Sequence, residues 1–153
     1  MEGISIIKHG KGSIGLRYFG LGPYMVPSRS LKKLRNLLNK ETFWASNRNY
    51  KYLKIMLANS TEVISIWSKG EMIGFGRATS DKIYRAVLWD VVVATKFQGN
   101  GIGRIIVEEL LKQSSLKNVE KIYLMTTNCL KFYENLNFRK VQTQSLLLHM
   151  DNN

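Results

Sequence analysis

This sequence of 153 residues has little cysteine, little histidine and no long apolar run, and each shortage excludes a class of protein. Cys129 is the single cysteine, so the chain cannot form an internal disulfide and suits a reducing compartment. Runs such as Val91–Ala94 are far shorter than the roughly 20 apolar residues of a membrane-spanning helix. His9 and His149 alone do not make a metal constellation. Disulfide scaffolds and integral membrane proteins are therefore excluded, and no metal is expected.

Acidic residues are also scarce, with 11 Asp and Glu against 23 Lys and Arg, which gives a formal net charge of +12. Nucleic acid, an anionic membrane surface or a phosphorylated small molecule would each suit such a charge. The length and the apolar share of 44% predict one globular domain over residues 1–153. The start, Met1–Ile4, lacks the cationic and apolar layout of a signal peptide.

Glycine and proline divide the first 30 residues into predicted short strands and turns. Ser30 is a candidate N-cap for a helix that turns Leu34 and Leu38 toward the core. Asn49 is a candidate N-cap for a second helix that ends near Asn59. Two helices are thus expected before residue 60.

After residue 60 the apolar period changes from helical to strand-like, and β-branched and aromatic residues become frequent. The expected elements are a hairpin of Glu62–Ser68 and Met72–Ala78, a central strand over 83–94 buried on both faces, a helix over 101–112, a strand over 121–125, a helix capped by Asn128, and a last strand over 139–149. This order predicts a mixed sheet flanked by helices in one α/β or α+β domain.

The segment Gln98–Arg104 is rich in glycine and joins a long strand to an amphipathic helix. Glycines let backbone amides approach a ligand, and a helix N-terminus attracts a phosphate. Arg104 stands where a dinucleotide-binding fingerprint needs its third glycine, and no Gly-Lys-Ser/Thr of a Walker A loop follows. The glycines alone leave two alternatives open, an anion site or a tight turn.

The residues on either side of this turn resemble a known protein family, and that resemblance favours the anion site over a simple tight turn. Gln98–Gly103 resembles the Gln/Arg-x-x-Gly-x-Gly/Ala motif of the GCN5-related N-acetyltransferases, the GNAT family. Phe132–Phe138 is similar to the family's Phe-Tyr-x-x-x-Gly-Phe, with asparagine in place of glycine. Gly74–Asp81 and Leu88–Val93 resemble the plastid and cyanobacterial subgroup that includes plant serotonin N-acetyltransferase. The resemblance is good over residues 62–140, the expected acetyl-CoA-binding core.

The resemblance implies a mixed, mostly antiparallel sheet in which a splayed strand pair forms a cleft for acetyl-CoA. Backbone groups of the central strand would pair with the pantetheine arm, and amides of the glycine-rich turn would hold the pyrophosphate. The implied acetyl-CoA-binding residues are Val91, Val92, Val93, Gln98, Gly99, Asn100, Gly101, Ile102, Gly103, Arg104 and Asn128. Acetyl-CoA is the co-substrate, and no metal is involved.

Two residues are implied in catalysis. Tyr133 matches the family tyrosine that gives its proton to the departing CoA thiolate, although it could simply share an apolar helix face with Phe132. Asp90 matches a carboxylate that acts as a base or anchors the substrate in related small-amine acetyltransferases. The alternative for Asp90 is a structural ion pair with Arg77 or Arg85.

The expected acceptor is a small arylalkylamine such as serotonin, and protein lysine or N-terminal amines are the alternative. Thr126 and Thr127 stand where plant relatives carry an aspartate, so the acceptor side departs from that pattern. A non-catalytic basic module for nucleic acid ranks below both readings, since no RNP, KH or helix-turn-helix signature is present. No membrane partner is expected, a homodimer stays open, and the resemblance favours the plastid stroma over a bacterial-type cytoplasm.

Overall fold

The computed structural model describes residues 3–150, and residues 1–2 and 151–153 of the expected domain lie outside the described part. Three helices follow the first strand, three consecutive strands come next, and two helices, a fifth strand and a last helix complete the chain. The elements are β1 Ile4–His9, α1 Ile14–Phe19, α2 Ser30–Glu41, α3 Tyr50–Ala58, β2 Glu62–Ser68, β3 Glu71–Ser80, β4 Arg85–Val93, α4 Ile102–Leu111, α5 Ser114–Lys117, β5 Lys121–Leu124 and α6 Leu130–Glu134. No helix within residues 3–150 is long and apolar enough to cross a membrane.

The five strands form one sheet in the order β1-β2-β3-β4-β5. Neighbours are antiparallel except β4 and β5, which run parallel and are connected through α4 and α5. The predicted hairpin is confirmed, because Lys69 and Gly70 join β2 to β3 and both have positive φ, 48° and 76°. Two such residues match the right-handed twist of the flanking strands. The mixed, mostly antiparallel sheet is thus as predicted.

Helix α4 packs closely on one face of the sheet. Its residues Ile102 and Ile106 are buried against Gly74 and Gly76 of β3, which have no side chain to hold the helix away. Arg77, the next residue of β3, points to the other face, where its guanidinium donates to Ser60 at the end of α3. The sheet is therefore covered on both sides, as the predicted layers require.

The cap prediction for Asn49 is confirmed, and the one for Ser30 is wrong. Asn49 Oδ1 accepts the backbone N–H of Tyr52 at 2.9 Å. Ser30 is instead the first residue of α2 and is fully buried, and its hydroxyl donates to the carbonyls of Gly20 and Leu21. The tertiary contact thus takes the hydroxyl that a cap would have used.

The prediction for β4 is partly wrong. The strand begins at Arg85 rather than at residue 83, because Asp81 Oδ1 accepts the N–H groups of the next residues in a turn. Ala86 and Leu88 are buried on one face, whereas Val87 and Trp89 are only partly covered on the other. The prediction that both faces of β4 are fully buried is therefore wrong for the face that carries Val87 and Trp89.

The predicted last strand over 139–149 is wrong. No regular secondary structure is assigned after α6 in the described residues, and Leu146–Leu148 are 77–87% exposed. Three consecutive leucines point alternately to both faces of an extended chain, so they specify no single buried face. An apolar β-rich composition did not suffice here, because a strand also needs a pairing partner.

Candidate functional site

The parallel strands β4 and β5 separate at one end. Their pairing runs from Arg85 opposite Lys121 to Leu88 opposite Leu124, where β5 ends. Beyond this point β4 continues to Val93 and keeps its ladder with β3. Its other edge faces no strand in the described part of the chain. This geometry confirms the splayed strand pair and leaves backbone groups of β4 available beside a gap.

A β-bulge lies at the start of this free segment. The register of β3 and β4 shifts between Phe75 and Arg77, so that Asp90 and Val91 together face the single residue Gly76. Asp90 has a φ of 51°, in the left-handed region that side chains other than glycine disfavour. A bulge bends its strand and increases its twist, so it directs β4 away from β5 at this point.

The Asp90 side chain is buried in an ion-pair cluster. Arg48 forms two contacts with the carboxylate, Nη1 to Oδ2 at 2.9 Å and Nη2 to Oδ1 at 3.2 Å. Arg77 Nε donates to Oδ2 at 2.8 Å. Burial by itself would raise the pKa of Asp90, but the hydrogen bonds and charges of the two guanidinium groups bring it below its ordinary value. Asp90 is therefore ionised at neutral pH, and both of its oxygens already have partners.

This cluster contains one of the two expected arginines. Arg77 is a partner of Asp90, whereas Arg85 pairs with Glu120 at 3.1 Å on the surface. Arg48 was missed, and it comes from the connector between α2 and α3, residues 42–49. It lies 42 positions from Asp90 along the chain, so no local pattern could have revealed the pair.

The glycine-rich turn connects the end of β4 to α4 through a short 3₁₀ turn, Thr95–Phe97. Gly99 and Gly101 both have a φ of 77°, and a Cβ added at either would meet nothing within 4 Å. Gly101 is the N-cap of α4 and offers no side chain to its amides. The first backbone bond into the helix is from Ile105 N to Gly101 O at 3.0 Å, so the amides before it are free to bind an anion.

Two predicted binding residues of this turn use their side chains to hold it in shape. Gln98 Nε2 donates to the carbonyl of Val93 at 3.0 Å, which ties the turn to the end of β4. Asn100 Nδ2 donates to the carbonyls of Phe97 and Gln98 at 3.3 and 3.2 Å. The Gln98 N–H donates to the Thr95 carbonyl at 3.1 Å, so of these two residues only Asn100 has a backbone amide that could contact a ligand.

Helix α6 lies against the first turn of α4. The Phe132 ring is so close to Gly103 that an added Cβ would be 3.1 Å from its Cζ. Arg104 reinforces this contact, since it pairs with Glu108 at 3.3 Å and donates to the carbonyl of Asn135 at 3.5 Å. Because α4 and α6 both follow the carboxyl ends of neighbouring parallel strands, they meet at the edge where the strands separate.

Tyr133 is only 9% exposed and lies between two aromatic rings. Its ring centroid is 4.9 Å from that of Phe132 and 5.9 Å from that of Phe138, both in edge contacts. Burial, with a smaller effect of the neighbouring Cys129, raises the pKa of Tyr133 to about 12. The phenol therefore keeps its proton through the neutral range.

Asn128 does not cap α6, so that prediction is wrong. The N-cap position belongs to Cys129, whose backbone N–H donates to Thr126 Oγ1 at 3.1 Å. Asn128 Oδ1 accepts instead from the exposed Cys129 thiol at 3.3 Å. The Thr126 hydroxyl therefore occupies the backbone N–H at the start of α6, and the exposed Asn128 side chain keeps its amide nitrogen on the surface.

The three predicted valines direct their side chains into the core. Val92 is buried on the face shared with Phe75, whereas Val91 and Val93 pack toward Gly76 and Gly103 on the α4 face. Their side chains thus belong to the core on both faces of the sheet. Only their main-chain groups are available at the edge of β4.

Connector 42–49 is the second feature that the sequence did not reveal. Glu41, at its start, accepts the Thr95 N–H at 3.1 Å and the Thr95 hydroxyl at 2.6 Å, just after β4. Arg48, near its end, holds Asp90. Between these anchors Phe43 and Trp44 are 78% and 51% exposed and stack edge-on at 5.2 Å. The connector thus lies along the free segment of β4.

The model of the acetyltransferase (GNAT) family matches residues 31–138. The chain belongs to this family. An N-acetyltransferase named ycf52 from Pyropia yezoensis is 37% identical over 98 residues, 61% of this chain and 56% of that protein. GCN5-related N-acetyltransferase 2, chloroplastic, from Arabidopsis thaliana is 32% identical over 119 residues, 73% of this chain and 44% of that protein. The chain spans about half the length of these GNAT relatives.

The fold agrees with this membership. The solved structure of a GNAT-family acetyltransferase from Streptococcus pneumoniae TIGR4 has a TM-score of 0.73 and 17% sequence identity, and the match covers 98% of this chain and 99% of that one. In residues 3–150 no group of three His, Cys, Asp or Glu side chains could hold a metal ion.

Proposed function

We propose that this protein transfers the acetyl group of acetyl-CoA directly to the primary amine of a small arylalkylamine such as serotonin. The separation of β4 from β5 beside the glycine-rich turn carries this proposal. A gap with free strand amides can take an extended amide-containing arm, and the free amides of the turn can take its phosphates.

The residues present fit acetyl-CoA. Gly99 and Gly101 leave open space where any larger side chain would stand, and their positive φ values suit glycine. The backbone of Val91–Val93 and the Asn128 side chain are the proposed contacts to the pantetheine arm, and the amides of residues 99–104 are the proposed contacts to the pyrophosphate. Bound acetyl-CoA supplies the activated thioester.

The chain itself then has two tasks in the reaction. A backbone N–H of β4 donates to the acetyl carbonyl oxygen, which stabilises the negative charge that develops there. The lone pair of the neutral amine forms the new C–N bond as the C–S bond breaks, and the sulfur accepts a proton from the Tyr133 phenol. The new amide nitrogen gives up its extra proton to solvent water, and the Tyr133 phenolate takes a proton back from water. Burial raises the pKa of Tyr133 to about 12, so the phenol is protonated at neutral pH but is a weaker acid than an exposed tyrosine.

Asp90 takes a different part in this proposal from the base that the resemblance implies. Its carboxylate already has two guanidinium partners and a lowered pKa, which makes it a weak proton acceptor near neutral pH. We therefore assign the deprotonation of the amine to solvent water and assign Asp90 to the geometry of β4. The plastid stroma is the proposed location, in line with the chloroplastic Arabidopsis relative.

The aromatic acceptor rests on the exposed rings of connector 42–49. Phe43 and Trp44 form an apolar pair beside the free segment of β4, and Trp89 is partly exposed on the strand itself. Flat rings of this kind bind other aromatic groups through offset or edge contacts. The net charge of +12 disfavours a polyamine, which carries several positive charges, more strongly than an arylalkylamine, which carries one.

Calorimetry with acetyl-CoA and an assay of thiol release test the proposal. Acetyl-CoA should bind without an amine, and thiol should be released only when an amine is present. A panel of arylalkylamines, polyamines, lysine peptides and N-terminal peptides then identifies the acceptor. Absence of binding at millimolar acetyl-CoA would refute the activity, and turnover with peptides alone would replace the small amine by a protein acceptor.

A further inference from the structure

Arg48 links two parts of the site that are far apart in sequence. It lies in connector 42–49, and its side chain reaches the bulge of β4, where it forms the two-point contact with Asp90. Such a planar fork fixes both the distance and the orientation of a carboxylate. The carbonyl of Arg48 in turn accepts from Arg35 Nε at 3.0 Å, which fixes its backbone to α2.

The conformation of Asp90 needs such support. A residue other than glycine is strained in the left-handed region, and this one lies inside a strand. Its side chain is 4% exposed, so the carboxylate depends on protein partners rather than on water. Arg48 and Arg77 supply those partners from two different elements, α2–α3 and β3. The ion pairs and the bulge therefore stabilise each other.

We propose that Arg48 is a positioning residue that, through Asp90, fixes the bulge of β4 at the acetyl end of the cleft and holds the aromatic connector against it. This inference rests on the proposed function for its catalytic consequence. The second anchor, Glu41 on Thr95, holds the other end of the connector beyond the same strand segment. Loss of the Arg48 side chain removes the contact between this end of the connector and β4, and it leaves Arg77 alone with the carboxylate.

Arg48→Met tests the proposal, since it keeps much of the apolar stem and removes the fork. We expect kcat to fall about tenfold and the KM for the amine to rise, because a displacement of about 1 Å at a site costs this much or more. The Kd for acetyl-CoA should change less than kcat does, since the glycine-rich turn that takes the phosphates is held by its own bonds and only the contacts of Val91–Val93 are disturbed. Arg48→Lys keeps the charge without the fork and should recover only part of the loss.

Arg85→Met is the matched control. Arg85 lies on the same strand and forms an ion pair with Glu120, but both side chains are about half exposed. Exposed pairs contribute little, so kcat and KM should stay near the wild-type values. Equal losses in both variants would overturn the proposal, as would unchanged kinetics in Arg48→Met.

Two further measurements separate positioning from other roles. Hydrogen exchange should become faster in residues 89–93 and 42–49 of Arg48→Met and stay unchanged in 98–104. A kcat that collapses in Asp90→Asn while exchange in residues 89–93 stays at the wild-type rate would identify Asp90 as a base and overturn the proposal, because the amide keeps the shape of the carboxylate but cannot take up a proton. If the wild-type protein binds acetyl-CoA but acetylates no amine, the proposed function fails. In that case unchanged exchange in Arg48→Met would overturn the anchoring role, and faster exchange would support it.

Discussion

The glycine-rich turn and the β4 bulge lie at the two ends of the same free strand segment, and they reach positive φ by different means. In the turn, Gly99 and Gly101 adopt a φ of 77° without steric cost. In the bulge, Asp90 adopts a φ of 51° and is held by Arg48 and Arg77. The conformation of the turn is possible because glycine has no side chain, whereas the conformation of the bulge is held by the side chains of Asp90 and its two arginines.

This difference determines how each region responds to change. Side chains introduced into the turn should act directly on the ligand, because the space there is open and the amides are unpartnered. Side chains removed from the bulge should act through the backbone, because the cluster touches the cleft only by way of β4. The turn should therefore control affinity, and the bulge should control geometry and stability.

The largest expected effect is the loss of acetyl-CoA binding in Gly101→Asp. The new carboxylate would stand at the N-terminus of α4 and repel the phosphates that the free amides attract. Calorimetry should detect no binding at concentrations that saturate the wild-type protein.

Gly70→Asp is the control for this substitution. Gly70 has nearly the same φ, 76°, and the same open surroundings, but it lies in the β2–β3 hairpin. It should bind acetyl-CoA normally, so the comparison isolates the position from the backbone strain. Equal affinity losses in both variants would contradict the assignment of the turn.

Tyr133→Phe removes a reactive group without changing either region. We expect kcat to fall roughly 100-fold, the scale of general-acid catalysis, while acetyl-CoA affinity changes by less than about twofold. The ring contacts with Phe132 and Phe138 should survive, since they involve the faces and edges of the rings. Steady-state kinetics and calorimetry measure the two quantities, and an unaltered kcat would remove Tyr133 from the mechanism.

Gly76→Ala should destabilise the protein at the bulge, because Gly76 is the residue of β3 that faces Asp90 and Val91. Its new Cβ would lie 2.4 Å from Ile106 Cγ2, in a packed core where α4 meets the sheet. We expect the free energy of unfolding to fall by about 2 kcal/mol, as for other overpacked sites.

Gly74→Ala is the graded comparison for this prediction. Its nearest contact, Ile106 Cδ1 at 3.0 Å, is the tip of a side chain and can move, so urea denaturation should show a smaller loss. Equal stability of Gly76→Ala and the wild type would show that α4 is not tightly packed at the bulge.

The smallest expected effect concerns pH. Asp90 has a folded-state pKa below its ordinary 3.8, so its ion pairs stabilise the protein above that value. This contribution should be lost as pH falls from about 4 through the lower folded-state pKa. In Asp90→Asn the free energy of unfolding should depend less steeply on pH in this window, measured by urea denaturation at several pH values. An unchanged pH dependence would show that Asp90 is not held ionised by its arginines.

Much of the fold follows from local patterns. The hairpin at Lys69–Gly70, the cap at Asn49 and the apolar face of α4 each depend on residues within a few positions of one another. The predicted last strand failed because composition gives no pairing partner, and the Ser30 cap failed because distant carbonyls competed for its hydroxyl. Local chemistry was reliable where no tertiary contact opposed it.

The candidate site divides in the same way. The turn from Gln98 to Arg104 was found from the sequence, since glycine identity alone indicates positive φ and close backbone approach. The connector and Arg48 were not found, because an exposed-looking arginine between two helices has no signature of its distant partner.

The sequence by itself determined the family, the sheet with its parallel pair and the glycine-rich turn, because each is encoded by neighbouring residues. Only the tertiary structure decided that Asp90 is buried between two arginines, that Trp44 is exposed, and that the connector lies along β4. The physical reason is that burial and ion pairing depend on which distant elements meet. Arg48 and Asp90 are 42 positions apart, and the residues next to each of them in the sequence do not indicate that the two side chains form an ion pair.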